Sequence, residues 1–504
     1  MKIRTSSPDS VKKMIWCEVL LAVITPAIAG GIIYAGRKHL ERASGWIATA
    51  AMCMSALWIL GLSGPVIDMY NSGGNPITIE YSWVARSNIR FGFLIDTLNL
   101  PIGLTVIAVT ALSCFYSVRY MENEQDQRGY FGSLLLVLTG MIGVLFSIDL
   151  VQFYLFWELM LIPSYLLIAR QGASKRRLVV AFKYFIFTHI GALLLLLGIV
   201  TMFSYTGTFN LAELPQKAQF IPPDASSVIF MLLLLGFLVK MAAFPLHTWL
   251  PDTYSEAPMP VAAIFSGAVA PVAAYGMVRV LMTIFFDKMV QASNYLLALA
   301  VVTMLYGGLV TFSQTDIRRL LAYSSISQTG YTLFGLATIS SLGVTGTLLH
   351  ITNHAICKAL LFMGTGTIFR QTGKIDIRRT RGLMKKMPIT GITCLIGAFS
   401  LAGTPPLMGF WGEWMMLAGA VASGKLVFAL AGVVGMLVTA GYLILFLWRV
   451  FFGPVPKALN TVEESPRSLL AALVFLAIIS VLLGLWPGIL LEFFGPAATY
   501  LCQF

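Results

Sequence analysis

An all-α, polytopic membrane protein is the fold class this sequence predicts, on three observations. The 504 residues are 58% hydrophobic and only 11% charged, whereas a soluble domain carries about 25% charged residues. Apolar runs of about 20 residues recur along the whole chain, each long enough to cross a bilayer as a helix. None of these runs alternates apolar and polar residues in the manner of a barrel strand. In lipid every backbone polar group must be satisfied within the protein, so the spans are helices.

The runs lie near 14–36, 45–67, 93–118, 130–148, 149–169, 178–204, 227–249, 259–283, 293–313, 320–338, 341–369, 388–419, 426–450 and 468–490. The first follows "MKIRTSSPDSVKK" and exceeds the ~7–15 apolar residues of a signal core, which predicts a retained first helix. The runs meeting near 148 and near 340 are each read as two helices. No hydrophilic stretch between runs is long enough for an extramembrane catalytic domain. Four regions result: 1–129 with helices one to three, 130–283 with four to eight, 293–450 with nine to thirteen, and 451–504 with the fourteenth.

The net charge of +12 reports topology. With both termini placed outside, pairs such as Arg37/Lys38, Arg176/Arg177, Arg318/Arg319, Arg378/Arg379 and Lys385/Lys386 all fall in inward loops. The outward loops hold only Arg86, Arg90, Lys217, Lys288 and Lys425, which is the positive-inside bias. The tail residues Lys2, Arg4, Lys12 and Lys13 run against it. A nucleic-acid partner is not indicated. Cys17, Cys53, Cys114, Cys357, Cys394 and Cys502 are scattered, without CxxC, CxxCH or a Cys/His cluster, so no metal or haem site is expected. Nor does a GxGxxG or Walker-type loop occur, so no cofactor site is expected in this chain.

Some charges remain inside the spans. "DLVQFYLFWELMLIPSYLLIA" carries Glu158 near its middle, and Lys183, Lys240, Arg279, Lys358 and Glu413 lie in other runs, with His189, His350 and His354. An unpaired charge at mid-bilayer costs at least ~2.5–3.5 kcal/mol, so such residues face a partner or water and mark ion paths. Arg279, near a helix end, reads as a side chain snorkelling to the interface. Asp149 reads as a helix-start residue. His350, His354 and Lys358 follow one another at four-residue spacing, within an arc of about 80° and about 12 Å of helix axis. That spacing suits a water-linked chain of protonatable groups, or alternatively a polar seam against a neighbouring helix.

Two runs are interrupted. "LVKMAAFPLHTWLPDTYSEAPMP" places Pro245 five residues after Lys240, and "LAGTPPLMGFWGEWMM" places Pro405 and Pro406 ahead of Glu413. Proline removes a donor and breaks the helix, and breaks at membrane depth are tolerated where backbone lines a cavity, often beside an ion site. One broken helix in each half predicts inverted repeats. A carboxylate beside a desolvated lysine favours its charged form. Moving Glu158 and Lys240 apart would therefore release a proton, and bringing them together would reload it.

The segments "FYLFWELMLIPSYLLI", "LLGFLVKMAAFPLHTWLPDTYSEAP", "QTDIRRLLAYSSISQTGY", "HITNHAICKALLFMGTG" and "AGTPPLMGFWGEW" carry a resemblance over roughly 90–450. The chain resembles the antiporter-like membrane subunits of NADH:quinone oxidoreductase (complex I), F(420)H(2) dehydrogenase, membrane-bound hydrogenases and Mrp antiporters. The glutamate in its second broken helix makes it most similar to the M-subunit branch. The resemblance implies about fourteen helices in two inverted five-helix repeats, with helices seven and twelve broken. It also implies that Glu158 pairs with Lys240, that His354 and Lys358 continue the path, and that Glu413 is the exit-side proton carrier. Lys183 matches the pattern of helix six. Two positions depart from the family: Pro271 stands in "AVAPVAAYG" where a lysine is usual, and Gln328 in "SISQTG" where a histidine is usual.

The expected function is proton translocation in the membrane arm of a complex-I-like respiratory oxidoreductase. Flavin, iron–sulfur clusters and quinone would belong to partner subunits, and the chain would contact other membrane-arm subunits and lipid in the inner or cytoplasmic membrane. A subunit of an Mrp-type cation/proton antiporter and a non-conducting scaffold remain as alternatives.

Overall fold

The computed structural model describes residues 8–36, 40–71, 76–124 and 126–503. Lys2, Arg4, Arg37 and Lys38 of the charge argument lie outside them. The first region forms α1 (Pro8–Ala35), α2 (Ser44–Gly61), α3 (Ser63–Asn71) and α4 (Asn99–Tyr120). Between α3 and α4 lies an antiparallel hairpin, β1 (Ile77–Val84) with β2 (Ile89–Ile95), paired from Ile77–Ile95 to Val84–Ile89. This corrects the expectation of helix from 93: Phe93 to Ile95 close a ladder, and the apolar strand end is buried against the bundle. Hydropathy averaged over 20 residues merges such a strand into the helix that follows it.

Then come α5 (Gln127–Phe146), α6 (Leu150–Gln171), α7 (Arg177–Thr206), the short α8 (Leu214–Lys217), α9 (Pro223–Met241), α10 (Leu250–Glu256), α11 (Met259–Ile264) and α12 (Ala270–Met277). A π-helical turn, Phe265–Val269, joins α11 to α12, and a second, Val278–Met282, prolongs α12. The second half holds α13 (Phe286–Ser313), α14 (Ile317–Ala337), α15 (Ser341–Thr372), α16 (Pro388–Leu401), α17 (Met408–Ala422) and α18 (Leu426–Phe451). The C-terminal region holds α19 (Arg467–Leu485) and a short α20 (Gly488–Leu501). The fourteenth span therefore ends at Leu485, where Pro487 interrupts it, and does not run on to 490.

Eleven described helices are long and apolar enough to cross a membrane. The other three expected spans are α14, α15 and the α16/α17 pair. α14 and α15 are long but polar, and α16 and α17 are the two pieces of a broken span. α15 lies at the centre of the molecule, buried continuously from Gly343 to Ile368. Protein, not lipid, surrounds its threonines, histidines and lysine, and close approach by small residues makes that possible. A Cβ on Gly346 would come within 2.7 Å of the Gly412 carbonyl, so α15 and α17 touch through their backbones.

The five-helix order α5, α6, α7, α9/α10, α11/α12 recurs as α13, α14, α15, α16/α17, α18. An odd number of crossings per unit turns the second copy over. The junctions repeat bond for bond. Asp149 caps α6 by accepting from the Val151 N–H at 2.8 Å, and Asp316 caps α14 by accepting from the Arg318 N–H at 2.8 Å. Asp149 is thus the helix-start residue its position predicted. α7 ends in left-handed Gly207 and α15 in left-handed Gly373. The chain then returns to pair with the start of the preceding helix. Leu150 N–H bonds the Phe209 carbonyl and Leu211 N–H the Ile148 carbonyl; Ile317 N–H bonds that of Ile375 and Ile377 N–H that of Thr315.

The expected breaks are present. α9 stops at Met241, followed by left-handed Ala242 (φ 57°), a cis Phe244–Pro245 bond and α10. α16 stops at Leu401, followed by left-handed Gly403 (φ 67°), a cis Pro405–Pro406 bond and α17. Backbone groups freed at the breaks find side-chain partners. The Trp249 indole donates to the Val239 carbonyl at 3.0 Å, and the Thr329 hydroxyl to the Met241 carbonyl at 2.8 Å.

Arg279 corrects its sequence reading. It does not snorkel: 5% exposed, it donates to both oxygens of Asp96 at 2.8 and 2.7 Å and to the Tyr275 hydroxyl at 3.0 Å. The segment before α4 supplies a buried counter-ion that lies far away in sequence, so the guanidinium has no need of the interface.

Candidate functional site: a row of buried ionisable residues

In the first half, the last turn of α9 carries Lys240, which is 5% exposed. Its ammonium lies 3.5 Å from the Tyr184 hydroxyl, and 5.5 and 5.9 Å from the ring centres of Tyr184 and Trp157. Aromatic faces stabilise a cation there without neutralising it. Glu158 is not its ion-pair partner in this structure. The Glu158 carboxylate reaches His189 Nδ1 on α7 at 3.2 Å, and its second oxygen is buried without a hydrogen bond. Successive helix residues diverge by about 100°, so α6 can present only one of Trp157 and Glu158 to α9. Trp157 takes that place, and Glu158 turns to α7.

Lys183 sits apart from Lys240, near the start of α7. It donates to the Thr248 carbonyl at 2.8 Å and to Asp252 at 2.7 Å, while Arg319 from α14 reaches the other oxygen of Asp252 at 2.9 Å. Lys183 thereby staples the broken turn of the first half, and Asp252 links the halves.

In the second half, α15 aligns His350, His354 and Lys358 as their spacing predicted. Lys358 is fully buried; it donates to the Leu321 carbonyl at 3.0 Å and to the Ser324 hydroxyl. His354 lies against the Ser266 carbonyl of the π turn. Its ring centre is 6.2 Å from that of His350, which stacks on Tyr331 at 5.3 Å and donates from Nε2 to the Gln328 carbonyl at 3.3 Å. Glu413, 6% exposed, packs its carboxylate over Gly403, where a Cβ would collide with it. Among the described residues it forms no ion pair. Pro245, Pro405 and Pro406 hold the turns beside Lys240 and Glu413.

The structure thus groups His350, His354 and Lys358 on one element, with Lys240 across α11/α12 from them. It separates Glu158 from Lys240 and sets Lys183 in a different cluster. Sequence reasoning missed His189 as the partner of Glu158, missed Asp252 and Tyr184 altogether, and read Arg319 only as an inward-loop charge. For Asp252 a signal existed. It stands seven residues after Pro245, as Glu413 stands seven after Pro406. Among the described residues no group of three or more His, Cys, Asp or Glu could hold a metal ion.

Known proteins resemble this chain in sequence and fold. A family profile described as "NADH:quinone oxidoreductase/Mrp antiporter, TM" matches residues 147–439, and the profile for the N-terminus of complex I chain 5 matches 83–131. The NADH-quinone oxidoreductase subunit M of Pseudomonas aeruginosa is 30% identical, over 93% of this chain and 94% of that protein. The F(420)H(2) dehydrogenase subunit M of Methanosarcina mazei is also 30% identical, over 94% and 95%. Among solved structures, a chain of the Mrp complex from a Dietzia species superposes with a TM-score of 0.86 at 24% identity, covering 97% of this chain and 98% of that one.

Proposed function

Because the chain belongs to the NADH:quinone oxidoreductase/Mrp antiporter family of membrane subunits, we propose that it translocates protons in the membrane arm of a complex-I-like respiratory oxidoreductase. The observation that carries this reading is the row Lys240, His354, His350, Lys358 and Glu413, buried where an idle charge would be costly. Electron transfer belongs to partner subunits, with flavin, iron–sulfur clusters and quinone or related carriers. This chain contacts neighbouring membrane-arm subunits and lipid, and lies in the cytoplasmic or inner membrane with both termini outward.

In this mechanism Lys240 is the proton carrier of the first half. Glu158 and His189 form a neighbouring couple whose charge biases Lys240 through Trp157 and Tyr184. Rotating α6 by about one residue would bring the Glu158 carboxylate towards Lys240 in place of Trp157. His354, His350 and Lys358 relay the proton along α15, and Glu413 exchanges it on the exit side. Lys183 orients the broken turn through Thr248 and Asp252.

The test is Lys240→Ala in the intact assembly. Proton translocation per turnover should fall at least tenfold while the subunit still assembles; wild-type efficiency would refute the reading. A second reading, membership of an Mrp-type antiporter, is favoured by the relation at 29% identity to a Na(+)/H(+) antiporter protein of Alkalihalophilus pseudofirmus. Co-purification with peripheral redox subunits would eliminate it, and sodium-dependent proton flux without them would establish it.

A further inference from the structure

We propose that a cavity at one end of the bundle binds a zwitterionic phospholipid, its phosphate on Arg279 and its primary ammonium beside Asp96. This lipid site stands apart from the proton-carrier reading.

The cavity, of about 620 Å³, is lined by Tyr70, Asp96, Thr97, Arg279, Thr499 and Gln503 among others. Its size is that of a small-molecule site. Three spans end around it. Tyr70 closes the span Ser44–Tyr70, Asp96 to Leu98 lead into Asn99–Tyr120, and Arg279 stands three residues before the end of Met259–Met282. Span ends lie at headgroup level, where tyrosine is favoured. Tyr70 and Tyr500, 46% and 47% exposed, both line the cavity.

A second cavity, of about 220 Å³, is almost wholly apolar. Leu104 and Val109 of α4, Leu476 of α19, and Leu490 and Phe493 of α20 line it. From there α20 continues to Gly495–Leu501, which wall the first cavity. Leu104 and Val109 lie about 9 and 16.5 Å along α4 from Leu98, hence deeper in the membrane. A polar cavity at headgroup level with an apolar one below it fits an amphiphile. A free phosphate would use only the first.

The polar cavity presents a donor without an acceptor. Arg279 carries five N–H groups in a planar fork. Its Nε donates to the Tyr275 hydroxyl at 3.0 Å, and Nη2 to the two Asp96 oxygens at 2.8 and 2.7 Å. Among the described residues Nη1 forms no hydrogen bond, although the side chain is only 6% exposed. Buried donors are almost always satisfied. Asp96 has capacity as well. Its Oδ1 also accepts from the Leu98 and Asn99 N–H groups, at 3.0 Å each, whereas Oδ2 accepts only from Arg279 among the described residues.

Charge selects the headgroup. Arg279 is the only base and Asp96 the only acid among the described residues lining the cavity, so the pair is neutral. An anionic headgroup on Nη1 would also meet the Asp96 carboxylate, with no second cation to offset it. A headgroup carrying both signs answers both partners. Its phosphate oxygen takes a charge-assisted hydrogen bond from Nη1. Its ammonium donates to Oδ2 and lies against the exposed tyrosine faces. A trimethylated nitrogen has no N–H to donate, so phosphatidylethanolamine is preferred to phosphatidylcholine.

The experiment is a map of the intact assembly in nanodiscs of phosphatidylethanolamine, with native mass spectrometry counting the lipids bound to wild type, Arg279→Lys and Gly495→Trp. Expected are a phosphate within hydrogen-bonding distance of Nη1, a chain entering the apolar cavity, and the loss of one bound phosphatidylethanolamine in each variant. A Cβ on Gly495 meets nothing within 4 Å, so Gly495→Trp fills the cavity while leaving the Arg279–Asp96 pair intact. It decides the count if Arg279→Lys does not assemble. A cavity holding only water, a phosphate without a chain, or a segment of a neighbouring subunit overturns the proposal. So does an unchanged lipid count in Gly495→Trp. Equal occupancy in nanodiscs of phosphatidylglycerol or phosphatidylcholine overturns the choice of headgroup.

Discussion

The two halves build the same broken helix and then treat its carboxylate in opposite ways. Asp252 and Glu413 each stand seven residues after a cis proline, and ten after a left-handed residue, Ala242 in one case and Gly403 in the other. Asp252 is about a third exposed and held by Lys183 and Arg319, at 2.7 and 2.9 Å. Glu413 is 6% exposed and, among the described residues, forms no ion pair. One backbone plan therefore serves two purposes. A carboxylate clamped by two cations acts as their counter-ion and orients a turn. A buried carboxyl without one is free to exchange a proton. Lys240 has no counterpart either: its place in the second half is taken by Leu401.

The sharpest way to break this comparison is to neutralise each carboxylate in turn. Glu413→Gln keeps the shape and is expected to lower proton translocation at least tenfold, with thermal stability of the purified assembly unchanged or higher. Asp252→Asn should do the reverse, costing about 1 kcal/mol because the ion pairs it breaks are partly solvated, and sparing most of the transport. Equal transport losses in the two variants would remove the distinction.

A smaller effect separates the left-handed residues. Gly403→Ala forces a Cβ into the Glu413 carboxylate and into a backbone conformation costing roughly 1–2 kcal/mol for an L-residue, so a lowered melting temperature is expected. Ala242→Gly relieves that same backbone cost and should be neutral or slightly stabilising. A tolerated Gly403→Ala would show that the carboxylate does not depend on that turn.

The smallest effect lies in the returning loops, where Asp376 occupies the place of Asn210. Hydrogen bonds from Arg378 hold the Asp376 carboxyl down to about 2. Its contribution is therefore present above the ordinary carboxylate range, near pH 4, and is lost as pH falls through about 2. Amide exchange at Arg378 should be insensitive to pH-linked opening above 4, and Asp376→Asn should remove the residual acid sensitivity.

Most of the bundle was legible in the sequence because bilayer thickness imposes a length and a polarity on each span. The breaks at Pro245 and Pro406 were legible too, because proline acts on its own helix whatever surrounds it. The polar α14 and α15 were read as spans although each carries groups that lipid would reject. The hairpin at Ile77–Ile95 was missed because apolar strand and apolar helix look alike when averaged over a window.

By itself, then, the sequence determined which charged side chains would lie within the spans: Lys240, Lys358 and Glu413 are buried and Glu158 is half-buried, each set by its place within an apolar run. It could not determine what each of them touches. His189 beside Glu158, Asp96 beneath Arg279 and Arg319 on Asp252 come from distant segments, and only tertiary packing brings them together. The physical reason is that burial follows from local composition. Pairing depends on the rotation of each helix about its own axis, and that rotation is set by the neighbours it packs against.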